Sequence, residues 1–356
     1  MTITLDELKN TIASGMPLMK QNLSHLDLSD TVLDGAIFLN CIFDGCLFAQ
    51  ASLERTVFTQ CQLQSAIFDR AQLVQTSMIE CDMTGIVFKG KLEAMTICNS
   101  VVSQSQWDAV DIDKVSISGC DFSDSTFTDC LFQTSTLMEC VVNDTHFDQC
   151  SFYNISWIKS DFTSVNIVAC EFNQVLLLES QFVDKNFDGT LFTRCTCTES
   201  TFLRCSFKQA DMTERNLSKC EITECDFTKI KSQRSLFIEA KISHSIFDEA
   251  DMEGTNFQEA EVSDSSFHKT ILKDAWMKKI SSSKTLFSGS DLSGASLFYA
   301  VLDHCQFKKS VLQRALVHGM QDSECDWSGA NKKDMITTEP QQEKIDKKLT
   351  ERGIAL

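Results

Sequence analysis

Cysteine is the residue type whose abundance first suggests chemistry. The chain has 17 cysteines and six histidines among 356 residues, enough for disulfides, a zinc site or a nucleophilic thiol. Their spacing predicts none of these. No CxxC pair occurs, and the histidines show no ligand spacing beside the cysteines, so we expect neither a metal nor another cofactor. The cysteines recur instead at intervals of ten over one stretch, at Cys120, Cys130, Cys140 and Cys150.

A search for catalytic sequence motifs does not indicate an activity either. The chain has no GxSxG, P-loop or GxGxxG sequence, and its few glycines are scattered. Aspartate and glutamate are plentiful, but they lie at outward positions, where contact with solvent accounts for them without a catalytic role. We therefore expect a protein that is not an enzyme and has no catalytic residues.

Charge and hydropathy exclude further classes of function. The 50 acidic and 32 basic side chains give a net charge of −18, which disfavours direct binding to nucleic acid or to anionic lipid. No apolar run approaches the about 20 residues that a membrane span needs. The start MTITLDELKN carries acids where a signal peptide is positive, and so many thiols suit a reducing compartment. We expect a cytoplasmic protein.

A period of five organises nearly the whole chain. Stepping by five from Leu23 to Phe88, and from Ile97 to Trp327, gives 61 positions, of which 58 are apolar. We call these positions centres. They include 25 of the 26 phenylalanines, and 15 of the 17 cysteines lie two residues before a centre. Since neither a helix nor a strand has this period, it predicts a coil with one large and one small inward residue on each flat side.

Two stretches show the motif most closely, SDLSG at Ser290–Gly294 and ADMTE at Ala210–Glu214. They resemble the pentapeptide-repeat family, whose pattern is a small residue, Asp or Asn, Leu or Phe, and two polar residues. The resemblance covers roughly residues 21–330. It implies an all-β fold, a right-handed four-sided parallel β-helix of about 15 turns with short helical ends. One departure is that only 15 of the 61 residues preceding a centre are Asp or Asn.

The repeat also predicts the organisation of the chain. We expect an N-terminal helical cap over 1–20, a first repeat register over 21–88, a register break over 89–96, a second register over 97–330 and a C-terminal helical cap or tail over 331–356. The first helix would begin with a capping box at Thr4–Glu7. The last would place Pro340 at its first position and carry Ile345 and Leu349. This final segment is interpreted as a cap or as a dimerisation or docking element, as in some members of the family.

Three groups of outward residues are candidate contact sites. One is an apolar file on a single side of the coil, which would mark an interaction surface: Met138, Ile158 and Leu178. A second is an aromatic patch with cations, expected to form a compact binding patch together with Lys269, Lys273 and Lys284: Trp276, Phe298, Tyr299, Lys278 and Lys279. The third is acidic and lies in residues 101–150, which carry a net charge of −8: Asp108, Asp111, Asp113, Asp124, Asp129 and Asp148.

Two functions follow as hypotheses. The first is a protein-binding scaffold or adaptor, whose partner would be a secretion component or an effector. The start of the chain and the stretch Ser290–Ala300 resemble pentapeptide proteins associated with bacterial type VI secretion. The alternative, implied by other members of the family, is an acidic DNA mimic that binds a type II topoisomerase, gyrase, and protects or inhibits it. Either way we expect a protein partner and no membrane span, and a homodimer through a terminal segment is a further expectation.

Overall fold

The five-residue step gives each side of the coil the same alternation of inward and outward side chains and the same type of corner. Around Phe127, the side chains of Ser125 and Phe127 are buried, those of Thr126 and Thr128 point outward, and Asp129 turns the corner with φ of 52°. Its N–H donates to the carbonyl of Asp148 in the next turn, at 3.0 Å. Left-handed backbone normally favours glycine. Here residues other than glycine hold most corners, because regular hydrogen bonds between turns hold the conformation in place.

The structure is a computed structural model that describes residues 5–352, apart from the side chain of Asp6. It confirms the predicted fold class, a parallel β-solenoid of about 15 turns with two short helices. The chain divides into two compact units, Met1–Gln181 and Phe182–Leu356. Among the described residues, neither helix has the length and apolar character needed to cross a membrane.

Within residues 5–180, the structure has one helix and nineteen short strands. They are α1 (Leu5–Ala13), β1 (Leu18–Met19), β2 (Ile37–Leu39), β3 (Val57–Thr59), β4 (Ile67–Asp69), β5 (Leu73–Val74), β6 (Ser77–Ile79), β7 (Val87–Glu93), β8 (Thr96–Cys98), β9 (Gln106–Asp113), β10 (Ser116–Ser118), β11 (Thr126–Thr128), β12 (Leu131–Gln133), β13 (Thr136–Met138), β14 (His146–Asp148), β15 (Ser151–Tyr153), β16 (Ser156–Ile158), β17 (Asn166–Val168), β18 (Glu171–Asn173) and β19 (Leu176–Leu178).

Strands of the first unit pair in parallel with the equivalent strands one turn away. Nine form one sheet in the order β1-β2-β3-β6-β8-β10-β13-β16-β19. On two further sides the strands stack in two separate rows. The longer strands β7 and β9 each run from one of these sides to the next, so they connect the two rows into one sheet. The fourth side has isolated parallel bridges such as Asp121↔Val141.

The repeat changes phase within β7. Strand pairing with β9 aligns Lys89 with Asp108 but Gly90 with Val110, so one residue is skipped between Lys89 and Gly90. Gly90 has φ of +98°, and a Cβ atom built on it would lie 3.2 Å from the Cα of Arg70. A residue with a side chain would be strained there and would crowd the turn below, which explains why glycine marks the break.

From Gln181, where the first strand of the second unit begins, to Arg352, the structure has nine short strands and one helix. They are β20 (Gln181–Val183), β21 (Phe192–Thr193), β22 (Thr201–Leu203), β23 (Glu221–Thr223), β24 (Lys241–Ser243), β25 (Glu261–Ser263), β26 (Ser281–Ser283), β27 (Val301–Asp303), β28 (Gln321–Ser323) and α2 (Pro340–Glu351). Eight strands form a parallel sheet in the order β20-β22-β23-β24-β25-β26-β27-β28. The other sides pair through isolated bridges.

Stacked rings fill the core of each unit. In the first, the rings of Phe127 and Phe147 stack with centroids 4.8 Å apart. In the second, Phe207 and Phe227 stack at 4.7 Å with planes 1° apart. The small inward residues close the remaining space, and many of those with a hydroxyl or thiol donate to a carbonyl 23 residues earlier, as Thr56 Oγ1 does to Leu33 O at 2.9 Å. Cysteine, serine and threonine therefore suit this position because each is small and can hydrogen-bond there.

The chain ends differ in how they meet the core. The capping box expected at Thr4–Glu7 includes Thr4, which lies outside the described residues. Helix α1 buries Leu8 and is followed by Gly15 with φ of +69°, as a helix-terminating glycine requires. Helix α2 begins with Pro340 and buries no residue. Its contacts are described below.

Candidate interaction surfaces

One side of the first unit carries no charged residue in its strands. We call the sheet β1-β2-β3-β6-β8-β10-β13-β16-β19 the uncharged side. None of its strand residues is Asp, Glu, Lys or Arg, although the chain has a net charge of −18. Exposed apolar side chains include Met19, at 51% exposure, Ile37 and Met138, at 40%. Charge is therefore confined to the corners and to the other sides of this unit.

The uncharged side brings the predicted apolar file together. Strand pairing places Met138 opposite Ile158 and Ile158 opposite Leu178. Met138 is exposed, whereas Ile158 and Leu178 are half-buried. The file continues in the other direction through the polar Ser118 to Cys98. The three predicted residues thus form one continuous strip on adjacent strands.

Trp276 is the most exposed aromatic side chain among the described residues, at 60%. It lies in the second unit on the side formed by the centres Phe257, Met277 and Leu297, which we call the Trp276 side. Backbone bridges align Trp276 with Ser296, then Leu316 and Ile336. Trp276 makes none of the ring–ring contacts found between described residues, so its indole is open to a partner.

Phe298 and Tyr299 already have contacts within the second unit. The ring of His318 packs edge-on against both, with centroids 5.9 Å from Phe298 and 5.6 Å from Tyr299. Both aromatic residues are half-buried. The ring of Phe298 therefore packs against His318, and the residue paired with Trp276 in the next turn is Ser296. The place of Phe298 in the aromatic patch stays a prediction.

Helix α2 rests on Tyr299 and His318. The hydroxyl of Tyr299 donates to both carboxylate oxygens of Asp346, and His318 Nε2 lies 2.8 Å from the same carboxylate. Gln342 Nε2 donates to Tyr299 Oη at 3.2 Å and to Asp346 at 3.0 Å. Glu339, the N-cap residue, donates its backbone N–H to His318 Nδ1 at 3.3 Å. We call Tyr299 and His318 the helix seat.

Electrostatics in the seat favours ionised Asp346. Burial opposes ionisation, but hydrogen bonds from Tyr299, His318 and Gln342 together hold the pKa of Asp346 below its ordinary range. Burial and the adjacent carboxylate raise the pKa of Tyr299, so its hydroxyl stays protonated and donates. Because His318 Nδ1 accepts from Glu339, Nε2 carries the ring proton, and a neutral imidazole satisfies both contacts.

The five lysines near Trp276 do not form one cluster. Lys278 and Lys279 share its side, Lys278 half-buried and Lys279 at the corner with φ of 57°. Lys269 turns the corner after Phe267, and Lys284 turns the corner after β26. Because successive corners lie on different sides of the coil, Lys269 and Lys284 stand at corners that do not border the Trp276 side. None of the ion pairs among residues 5–352 involves Lys278 or Lys279.

The acidic candidates spread over two neighbouring sides and their corners. Three are exposed and three half-buried. Two are paired with lysine: Asp108 with Lys89 at 2.9 Å and Asp113 with Lys114 at 3.0 Å. Asp108 and Asp148 share one side, Asp111 and Asp113 share the next, and Asp124 and Asp129 turn corners. The carboxylates thus do not form a single face.

The cysteines behave as packing residues. All 17 are free thiols, and 14 of them are buried. Burial raises the pKa of Cys46 and of Cys140 to about 11 each, so both are protonated near neutral pH, the opposite of what a nucleophilic thiol needs. Among the described residues no group of three His, Cys, Asp or Glu side chains could hold a metal ion.

The helix seat is the feature that the sequence did not reveal. Tyr299 is among the predicted patch residues, but the sequence does not predict His318 or its link to α2, because that link joins residues that no periodic pattern relates. The i, i+4 spacing of Gln342 and Asp346 was an available signal, since it places two hydrogen-bonding side chains on one helix face.

Comparison with known proteins gives consistent matches. The sequence matches a family described as pentapeptide repeat region over residues 200–276. It also matches one described as pentapeptide repeats (8 copies) over residues 20–50, 46–85 and 283–314. None of the curated protein sequences compared with the chain is significantly similar to it.

Solved structures of similar proteins include two named as pentapeptide repeat proteins and one named for drug resistance. HetL, involved in heterocyst differentiation regulation in the cyanobacterium Nostoc sp. strain PCC 7120, is 14% identical, with 93% of this chain and 94% of that chain covered and a TM-score of 0.23. QnrB1, a plasmid-mediated fluoroquinolone resistance protein, is 17% identical, with 58% and 89% covered and a TM-score of 0.23. Rfr23 from the cyanobacterium Cyanothece 51142 is 13% identical, with 44% and 91% covered and a TM-score of 0.19.

Proposed function

Because the chain belongs to the pentapeptide-repeat family, we propose that it is a non-enzymatic scaffold that binds another protein through the uncharged side. One observation carries the proposal: nine adjacent strands without a charged residue, in a chain of net charge −18. Charged residues on the other faces disfavour close protein contact unless they are paired. A partner that binds the uncharged side does not have to remove water from unpaired charges in its strands.

The dimensions of the uncharged side suit a protein partner. Nine strands at about 4.8 Å spacing extend about 38 Å, and a side about five residues wide adds about 16 Å. Such a face would bury about 600 Å² on each partner, near the lower limit for specific interfaces. Met138, Ile158 and Leu178 would form an apolar strip at the β19 end of this face.

A paired capture experiment tests the proposal. Met138→Glu with Ile158→Glu places two charges on the uncharged side. Tyr153→Glu with Val168→Glu, which changes exposed residues on other sides, is the matched control. Proteins retained from lysate by the wild type and by the control, but lost with the first variant, support the proposal. Equal retention by all three would overturn it.

The cellular compartment and the pathway of this scaffold can also be proposed. We propose a cytoplasmic protein, supported by its 17 free thiols, and an accessory role in bacterial type VI secretion, supported by the likeness of Ser290–Ala300 to pentapeptide proteins of that system. The captured partner would then be a secretion component or an effector. Loss of effector export in a deletion strain, restored by the wild type and not by the Met138→Glu, Ile158→Glu variant, tests this form.

A DNA mimic that binds gyrase is the second candidate function. The exposed carboxylates of Asp108, Asp124 and Asp129 favour it. The lysine partners of Asp108 and Asp113 reduce the charge that such a surface would present. A supercoiling assay separates the two functions, since inhibition or quinolone protection of gyrase at sub-micromolar protein would favour the mimic.

A further inference from the structure

The helix seat already shows how the second unit binds a helix. Its occupant, α2, makes contact through Gln342, Asp346 and Leu349, the helix residues after Pro340 that are not fully exposed. No residue of α2 is buried, and Ile345 is exposed. The attachment therefore depends on the polar contacts with Tyr299 and His318 rather than on a hydrophobic interface.

These polar contacts are specific. The side chains of His318 and Asp346 are only 11% and 13% exposed, so their hydrogen bonds are shielded from water. Tyr299 offers a hydroxyl that donates to a carboxylate and accepts from a carboxamide. His318 accepts a backbone N–H at the helix start through one ring nitrogen and faces the carboxylate with the other. The seat thus recognises a helix start followed by a carboxamide and a carboxylate four residues apart.

The resident helix is also weakly held. A helix of 12 residues is marginal when isolated, and α2 has no fully buried apolar residue to compensate, since Leu349 is only half-buried. A second helix with the same pattern and a longer apolar face would gain contacts that α2 lacks. Trp276, Leu316 and Ile336, aligned on the same side, supply such contacts beside the seat.

We propose that the helix seat is a docking site for a helix of a partner protein that presents a carboxamide and a carboxylate at positions i and i+4, and that α2 is its exchangeable resident. The inference rests on the proposed scaffold role, to which it adds a second contact that opens when α2 leaves. Release of α2 would expose Tyr299 and His318 on the Trp276 side.

A peptide-exchange experiment on the full chain tests this. The probe is a fluorescein-labelled peptide of residues 338–352, and the receptors are the wild type, Gln342→Ala with Asp346→Ala, and Glu343→Ala with Lys347→Ala. The last removes an exposed ion pair of α2 and leaves its seat contacts intact. We expect the peptide to bind the Gln342→Ala, Asp346→Ala receptor at least tenfold more tightly than the other two, because its own helix no longer occupies the seat. Adding His318→Ala to that receptor should abolish the gain.

Hydrogen exchange of residues 340–351 provides the second measurement. Faster exchange in the Gln342→Ala, Asp346→Ala variant than in the Glu343→Ala, Lys347→Ala control supports release of α2. Equal peptide affinity for all receptors, or unchanged exchange, would overturn the inference. Neither measurement involves Met138 or Ile158, so failure here is distinguishable from failure of the proposed function.

Discussion

The indole of Trp327 stacks on the ring of Phe307 with centroids 4.1 Å apart and planes 8° from parallel. On the indole lies Lys332, whose Nζ is 4.2 Å from the ring centroid, and the indole Nε1–H donates to Asp322 at 2.7 Å. Asp322 is one of the three polar centres, and here it meets a side chain rather than the core. Trp327 and its two polar neighbours therefore cover the end of the phenylalanine stack in the second unit.

Removing this cover should destabilise the second unit. Trp327→Ala leaves the Phe307 ring exposed, and since the indole is only half-buried we expect a loss of about 2 kcal/mol, below the usual cost of a fully buried tryptophan. Urea unfolding measures it. Trp276→Ala, at an exposed position, is the control and should change stability by less than about 0.5 kcal/mol. Equal effects of the two substitutions would contradict the prediction.

Replacing Ser232, a polar residue at a centre of the repeat, should stabilise the protein. Its hydroxyl is buried without a hydrogen-bond partner, which costs about 1–3 kcal/mol, so Ser232→Ala should raise stability by about 1 kcal/mol. Ser235, close in sequence, provides the contrast, because its hydroxyl donates to Met212 O and accepts from Arg215 N. Ser235→Ala should therefore lower stability by a similar amount. Thermal melts of the two variants should move in opposite directions.

Thiol reactivity should separate three cysteines from the rest. Cys98, Cys170 and Cys325 are half-buried, and the other 14 are buried. Burial also raises the pKa of Cys325 to about 11, so even this thiol should react slowly at pH 8. We expect alkylation with mass-spectrometric counting to label at most three cysteines in the native protein and 17 after denaturation. Rapid labelling of more than three would show that the solenoid opens readily.

Docking of α2 should depend on the ionisation of Asp346. The pKa of this carboxyl is lowered in the folded protein, where burial opposes the stronger effect of its hydrogen bonds. The contribution to docking is thus complete above the ordinary carboxyl pKa of about 3.9 and is lost as pH falls through the lower folded value. Hydrogen exchange of α2 should differ between the wild type and Asp346→Asn at pH 5–8, and the difference should vanish well below pH 4. A difference that persists at low pH would exclude Asp346 as the cause.

The five-residue period predicted the fold because every turn applies the same inward rule. Phe127 and Phe147 stack as the period requires, and Met138, Ile158 and Leu178 align for the same reason. The positive φ at corners such as Asp129 and Tyr299 was not predicted, because these residue types carry no glycine signal. The contact of His318 with Asp346 was also beyond reach, since it joins a repeat residue to a segment without the repeat. The five-residue period predicts which residues are neighbours within the solenoid, but it does not predict which segments dock against the solenoid.

The skipped residue between Lys89 and Gly90 bears on how such a chain tolerates insertions and deletions. The strands on both sides of the skip still pair in parallel, Phe88 with Trp107 and Leu92 with Ile112. One corner with a glycine therefore accommodates the loss of one residue, and the side chains that follow keep their inward or outward orientation. A solenoid of this repeat can therefore lose one residue at a glycine corner while the turns on both sides keep their pairing and the faces that they present.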